Sequence, residues 1–397
     1  MSLAIQDKGL SRAREIYQDR THRAKDLHTQ GRKIIGYKDI HPVLEMITAL
    51  DLVPYRLLGD MSEPITIADA HISAVICPLI RSTLDLGLKG KYDFLDGSVM
   101  FHGCDAGQNL ASIWRSCMKE RHKYYYFLDF PHGTRLSAQK KTKALLVDFK
   151  ESLESFSGRK LSNAKLKDAI VVHNLQRALV RQLYGLTKPD PPLISGTEIF
   201  QVTMSLMSLP VEEGNNLLKQ VISEIRERKN DFQKKPRLFI WGSTIDNITL
   251  IEMIEDAGAN VVMDDTSVGS RFYWPDVELT DDPLDGLVYR YLIGLKSPRT
   301  FMETVSEPSR KDYMGDLDNR FRHLKGFVED WDVEGVILQS VRYCDIHGYE
   351  IPALKDYFIH LGLPSIYIEH DYSESSLAPL TTRIQAFLEM LGQGGPQ

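Results

Sequence analysis

Three times along this chain an apolar run ends at a cysteine, and the cysteine is followed by apolar residues at helical spacing. The stretches are VICPLIRSTLDLGL at 75–88, GSVMFHGCDAGQNLASIW at 97–114 and VEGVILQSVRYCDIHGYEIPALKDYF at 333–358. Each run is short and mainly apolar, the pattern of a strand buried on both faces, and each is paired with a helix. Strand, cysteine, helix is half of a parallel crossover unit, so the chain is constrained to an α/β fold. In open sheets of that kind, ligands sit beyond the carboxyl ends of the strands. Cys77, Cys104 and Cys344 are therefore placed where one crevice can collect three thiols.

Two readings of those thiols stand side by side. Free cysteine is among the most buried residue types and often does no more than fill a core. Thiolates are also soft ligands suited to zinc, copper(I) and iron–sulfur clusters. The sequence has no CxxC pair to favour the second reading by spacing. The fourth cysteine, Cys117, falls on the helix that follows Cys104. At 1.5 Å of rise per residue it lies roughly 20 Å along that helix, too far to share a site, and is read as structural.

At 397 residues the chain exceeds one ordinary core, so several domains are expected. Residues 1–32 read as one amphipathic N-terminal helix, with Leu10, Ala13, Ile16 and Tyr17 on one face and a solvated continuation suited to contact between subunits. Strands alternating with short helices over 33–134 predict a first α/β domain carrying Cys77 and Cys104. Long helical periods without strong strands fill a middle region, 135–235. A second α/β domain, 236–397, carries Cys344. The architecture expected is two Rossmann-like, flavodoxin-like parallel-sheet domains with a helical middle region.

Ser243 follows a strand at Gly242 and opens a turn where backbone N–H groups can face an anion, although a plain turn explains it equally. His102, Asp105 and His347 flank cysteines and are candidates for donating protons or hydrogen-bonding sulfur; local capping is the plainer reading. Glu369, His370 and Asp371 end another strand. Neither G-x-x-x-x-G-K-[ST] nor G-x-G-x-x-G occurs, so ATP or NAD chemistry in this chain is unsupported. A net charge of −6 gives no reason to expect nucleic acid. No apolar run approaches the roughly 20 residues of a membrane span. The N-terminus shows no leader-like apolar stretch, and four cysteines are too few for a disulfide framework in a chain this long, which suits a cytoplasmic protein.

The segments ICPLIRSTLDLGL, GCDAGQNLASIW and YCDIHGYEIPALK resemble the three cysteine segments of the benzoyl-CoA reductase and 2-hydroxyacyl-CoA dehydratase family. Further similarity runs through KIIGYKDIHPVLEMITALDLVPYRLLG, YYYFLDFPHG, LPVEEGNNLLK, GANVVMDDTSVGSRFYW, DDPLDGLVYRYL and IEHDYSESSLAPLTTRIQAFLEML, covering roughly residues 33–391. The resemblance implies a [4Fe-4S] cluster held by Cys77, Cys104 and Cys344 in the crevice between the α/β domains, with the fourth iron position left to a ligand the sequence does not name. It implies a homologous second subunit, a separate ATP-hydrolysing iron–sulfur activator and an acyl-CoA substrate. The smaller subunit of benzoyl-CoA reductase is the nearest likeness. The reaction implied is low-potential electron transfer to an aromatic acyl-CoA thioester, giving a ketyl-type radical. Radical dehydration of a 2-hydroxyacyl-CoA, or a non-catalytic electron-relay role in either complex, are the alternatives. Residues 134–170 hold nine Lys or Arg against four Asp or Glu. That face reads first as solvated helix surface and second as one able to attract coenzyme A phosphates or an acidic partner.

Overall fold

A computed structural model describes residues 8–300 and 312–393. Eight strands form two four-stranded, fully parallel sheets. The first is built from β1 (Ile34–Tyr37), β2 (Val53–Arg56), β3 (Gly97–Phe101) and β4 (Tyr124–Leu128), in the order β2-β1-β3-β4. The second uses β5 (Arg237–Gly242), β6 (Asn260–Asp265), β7 (Gly335–Val341) and β8 (Ser365–His370), in the order β6-β5-β7-β8. The two orders are equivalent, and each reverses direction between its first and third strands. That arrangement fits two Rossmann-like units of the flavodoxin-like type. Strands β1, β3, β5, β6 and β7 are buried along their whole length, as expected for strands covered on both faces.

Between the sheets run four helices, Leu136–Ser157, Asn163–Gly185, Gly196–Leu206 and Val211–Glu227. Local signals set their ends. Gly158 stops the first in a left-handed conformation (φ 73°), Ser162 caps the second, and Ser195 and Glu198 form a reciprocal capping box on the third. Of the basic stretch 134–170, Lys143 pairs with Asp282 and Asp285 and Lys160 with Glu154. No helix among the described residues is long and apolar enough to cross a membrane.

The N-terminal expectation needs correction. Residues 1–7 of that stretch lie outside the described residues, and the rest forms two helices, Lys8–Gln18 and Thr21–Thr29. Leu10, Ala13 and Ile16 are buried within the chain's own core, not offered to another subunit. The Glu224 carboxylate accepts from the N–H groups of Gly9 (2.9 Å) and Leu10 (3.1 Å), and Ser205 Oγ donates to the Ala13 carbonyl (2.7 Å). The continuation is not merely solvated either, since Ala24 and Leu27 are buried.

A second correction concerns Cys77. The run before it is no strand: residues 57–77 cross from β2 toward the next helix through a 3-10 turn at Ala68–Ala70 and irregular backbone. Val75 is exposed, and the segment pairs with no strand of the sheet. Cys104 and Cys344, by contrast, each lie three residues past a strand end, after β3 and β7.

Candidate functional site

The carboxyl ends of both sheets face one cavity with an empty volume of about 750 Å3, its mouth included. From the first sheet come Lys38 and Asp39 after β1, Arg56 at the end of β2, and Cys104 after β3. From the second come Ser243 after β5, Arg271 after β6, and Cys344 with His347 after β7. Cys77 completes the wall from the crossover that follows β2.

All three cysteines stand at the N-caps of helices: Cys77 before Pro78–Leu88, Cys104 before Asp105–Met118, and Cys344 before Asp345–Gly348. A helix N-terminus presents unpaired N–H groups and a partial positive charge, which favours thiolate over thiol. Cys104 Sγ accepts from the Gly107 N–H at 3.3 Å. The Cys344 thiol hydrogen-bonds Cys77, and this contact lowers the Cys77 pKa and raises that of Cys344, which burial and the neighbouring sulfurs raise further. Burial pushes Cys104 up to about 12. Burial thus favours the protonated form of Cys104 and Cys344, and a metal centre bound here must displace those protons.

Among the described residues no group of three His, Cys, Asp or Glu side chains closes round a single ion. A lone zinc needs every ligand about 2.0–2.3 Å from one point. A cluster of several irons spreads its ligands over a wider ring, so three unpaired thiols round a shared cavity fit a polynuclear iron–sulfur group.

The other sequence candidates divide. Ser243 is buried in the wall, its Oγ accepting from the Val341 N–H (3.2 Å) and donating to Gln339 Oε1 (3.2 Å). Gly242 before it packs so closely on β7 that a Cβ would lie 2.2 Å from the Gln339 carbonyl oxygen. His347 also lines the cavity, its Nδ1 3.2 Å from Cys344 Sγ and its Nε2 3.0 Å from Arg271 Nη1. His102 is not brought in: its ring faces Asp129 (2.8 Å) and His132 outside the cavity. Asp105 is exposed in the first turn of its helix. His370 Nε2 meets Gln339 Nε2 (2.9 Å) behind the wall, and Glu369 reaches Arg342 at the surface. Cys117 sits near the far end of its helix, 3.9 Å from His71 Nδ1.

Four charged residues of the wall escaped sequence reasoning. Lys38 is buried and donates to Thr83 Oγ1 (2.9 Å) and the Leu57 carbonyl (3.3 Å); burial, with Arg56 nearby, brings its pKa down to about 8. Asp39, at φ 75°, engages the Ile40 N–H and His41. Arg56 reaches the Asp39 carbonyl and leaves its Nε without a partner, and Arg271 pairs with Asp265. The available signal was position: Lys38 and Asp39 directly follow IIGY, and Arg56 ends the VPYR strand.

Fold and crevice together define a two-sheet α/β protein whose cavity is walled by thiols from both halves. By sequence the chain belongs to the 2-hydroxyglutaryl-CoA dehydratase, D-component family, matched over residues 41–391. It is 29% identical over 368 residues to a subunit of the benzoyl-CoA reductase of Thauera aromatica, covering 91% of each chain. It is 24% identical over 370 residues to the (R)-phenyllactyl-CoA dehydratase beta subunit of Clostridium sporogenes, covering 92% of this chain and 94% of that one. Identity to the beta subunit of (R)-2-hydroxyglutaryl-CoA dehydratase from Acidaminococcus fermentans is 22% over 364 residues, covering 91% and 93%. The chain thus sits among subunits of acyl-CoA reductases and dehydratases.

Proposed function

We propose that this chain is a subunit of an ATP-dependent, oxygen-sensitive acyl-CoA reductase of the benzoyl-CoA reductase type, in which Cys77, Cys104 and Cys344 hold a [4Fe-4S] cluster. The observation that carries the reading is the meeting, in one cavity, of three helix-capping thiols drawn from both sheets. When bound, such a cluster supplies one-electron transfer at low potential. The chain's own part is to bind it and control its surroundings. The N-termini of the helices after Cys77 and Cys104 support thiolate charge, and Lys38 and Arg56 add positive charge at the wall. The sequence has no phosphate-binding loop, so the reading assigns ATP hydrolysis to a separate iron–sulfur activator and includes a homologous partner and a cytoplasmic setting.

Dehydration of a 2-hydroxyacyl-CoA is the second reading, supported by the dehydratase subunits among the relatives. An electron-relay role, with the thioester held by the partner, draws support from the acidic residue of the wall, Asp39, being already engaged by His41.

The test is metal and sulfide analysis of anaerobically prepared protein. About four iron and four sulfide per chain are expected, with visible absorption that bleaches in air. Serine at Cys77, Cys104 or Cys344 should sharply lower both contents, while Cys117→Ser leaves them unchanged. Stoichiometric zinc without sulfide would remove the proposal.

A further inference from the structure

Behind Cys344 runs a chain of polar groups that the proposed electron chemistry does not itself require. Asp265 Oδ1 and Oδ2 accept from Arg271 Nε (3.0 Å) and Nη2 (3.2 Å), both side chains being buried. The Asp265 carbonyl also accepts from Nη2 (2.6 Å), and the Gly242 carbonyl from Nη1 (3.1 Å). The same Nη1 lies 3.0 Å from His347 Nε2, and His347 Nδ1 lies 3.2 Å from Cys344 Sγ. The imidazole is buried and packs against Trp241, with ring centroids 5.3 Å apart.

These contacts leave one protonation pattern. A guanidinium has N–H donors and no acceptor, so Nε2, facing Arg271, must carry a lone pair. In a neutral imidazole the proton then sits on Nδ1, aimed at the sulfur. A second proton on Nε2 would set N–H against N–H beside a fixed cation in a dry site. The ring is therefore not built to pass a proton to substrate.

We propose that Asp265 and Arg271 lock His347 in its Nδ1–H form so that it donates a hydrogen bond to Cys344 Sγ. This makes His347 a positioning residue that sets the electron affinity of the centre through one of its sulfurs. The inference rests on the cluster reading above. Hydrogen bonds to ligating sulfur stabilise the more negative, reduced state, so removing one should move the reduction potential to more negative values.

The experiment is an anaerobic potentiometric titration of the cluster-loaded protein, followed by electron paramagnetic resonance, in three variants. In His347→Asn the amide nitrogen can take the place of Nδ1 and keep the bond to sulfur. In His347→Gln it takes the place of Nε2 and does not reach the sulfur, and His347→Phe has no donor. The expected result is a potential near wild type for Asn and a clear negative shift for Gln and Phe, at equal iron per chain. Should the phenylalanine variant lose iron, the Asn and Gln pair still decides. Equal potentials in all variants, or a shift in Asn as large as in Gln, would overturn the inference while leaving the cluster intact. Wild-type protein without iron and sulfide would instead overturn the reading beneath it.

Discussion

Glu45 offers a severe test of how the two sheets and the middle helices are held together. It lies on the helix Leu44–Thr48 directly after β1 and is fully buried. Its carboxylate accepts from Arg177, on the middle helix Asn163–Gly185, and from the Tyr291 hydroxyl (2.8 Å), which follows the second sheet's β6. Burial alone would raise its pKa, but Arg177, His173 and Arg290 together hold it down to about 2. Glu45→Gln keeps the shape and a hydrogen-bond acceptor while deleting the charge. Arg177 is then left uncompensated in the interior, beside Arg290, whose Nε and Nη1 already lack partners. Removing one member of such a pair costs about 3–5 kcal/mol. The carboxylate's shift from an ordinary value near 4.5 corresponds to roughly 3 kcal/mol, at the low end of that range. That is a large part of the about 5–15 kcal/mol by which proteins are commonly stable. Urea unfolding should show a lower midpoint with little change in slope. In Glu45→Gln/Arg177→Met the Arg177 charge is gone as well and only Arg290 is left uncompensated, so the double variant should be more stable than Glu45→Gln alone. A single variant within about 1 kcal/mol of wild type, or a double variant whose losses simply add, would refute the reasoning.

His173 beside this pair gives a pH dependence. Burial, with Arg177 and Arg290 outweighing Glu45, lowers its pKa from 6.5 to about 4. As pH falls from about 6.5 to about 4 the unfolded chain takes a proton that the folded one refuses, so up to about 3 kcal/mol of stability is lost in that window. Asp264, held up at about 6 by burial, acts in the opposite sense over part of it. Comparison of His173→Gln with wild type therefore isolates the histidine, and the variant's stability should fall less steeply; an identical slope counts against the assignment. Gly242→Ala forces a methyl onto the Gln339 carbonyl and should cost about 1–3 kcal/mol, read as a lower melting temperature, together with weaker iron retention because Ser243 in the wall must move. The isolated chain should hydrolyse no ATP in a phosphate-release assay, and robust turnover by clean protein would overturn the proposed division of labour.

Much of the fold was legible because parallel strands covered on both faces leave an unmistakable trace. RLFIWG, NVVMDD and GVILQSV read as strands and are strands. The helices of the middle region were legible from their long periods and from the Gly and Pro breaks between them. VIC before Cys77 misled for a physical reason: a run of three apolar residues is too short for its pattern to separate a strand from irregular backbone. The apolar face of Leu10, Ala13 and Ile16 is legible, but the second N-terminal helix is not, and periodicity does not say which surface an apolar face meets. The charged wall was missed because Lys, Arg and Asp are ordinarily solvated. What buries Arg271 and Lys38 is the company of Asp265, Thr83 and backbone carbonyls, which only the folded chain assembles.

The equivalence of the two sheets explains two of the three thiols that meet in the crevice, and the third has a separate origin. In each half the strand order is the same, and the third strand in sequence ends three residues before a cysteine that caps a helix. Cys104 and Cys344 are thus counterparts facing each other across the cavity. Cys77 has no counterpart of this kind. It arises from the crossover between β2 and β3, where Pro78 starts a helix whose first turn is aimed at the same space. The first half therefore contributes two sulfurs and the second half one. A centre bound by all three is anchored mainly to the first half, and Cys344 alone among the ligands ties the second half to it. The hydrogen bond from Cys344 to Cys77 and the buried chain from Asp265 through Arg271 and His347 both converge on that single sulfur. The sulfur that the proposed centre would take from the second half is thus contacted from both sides.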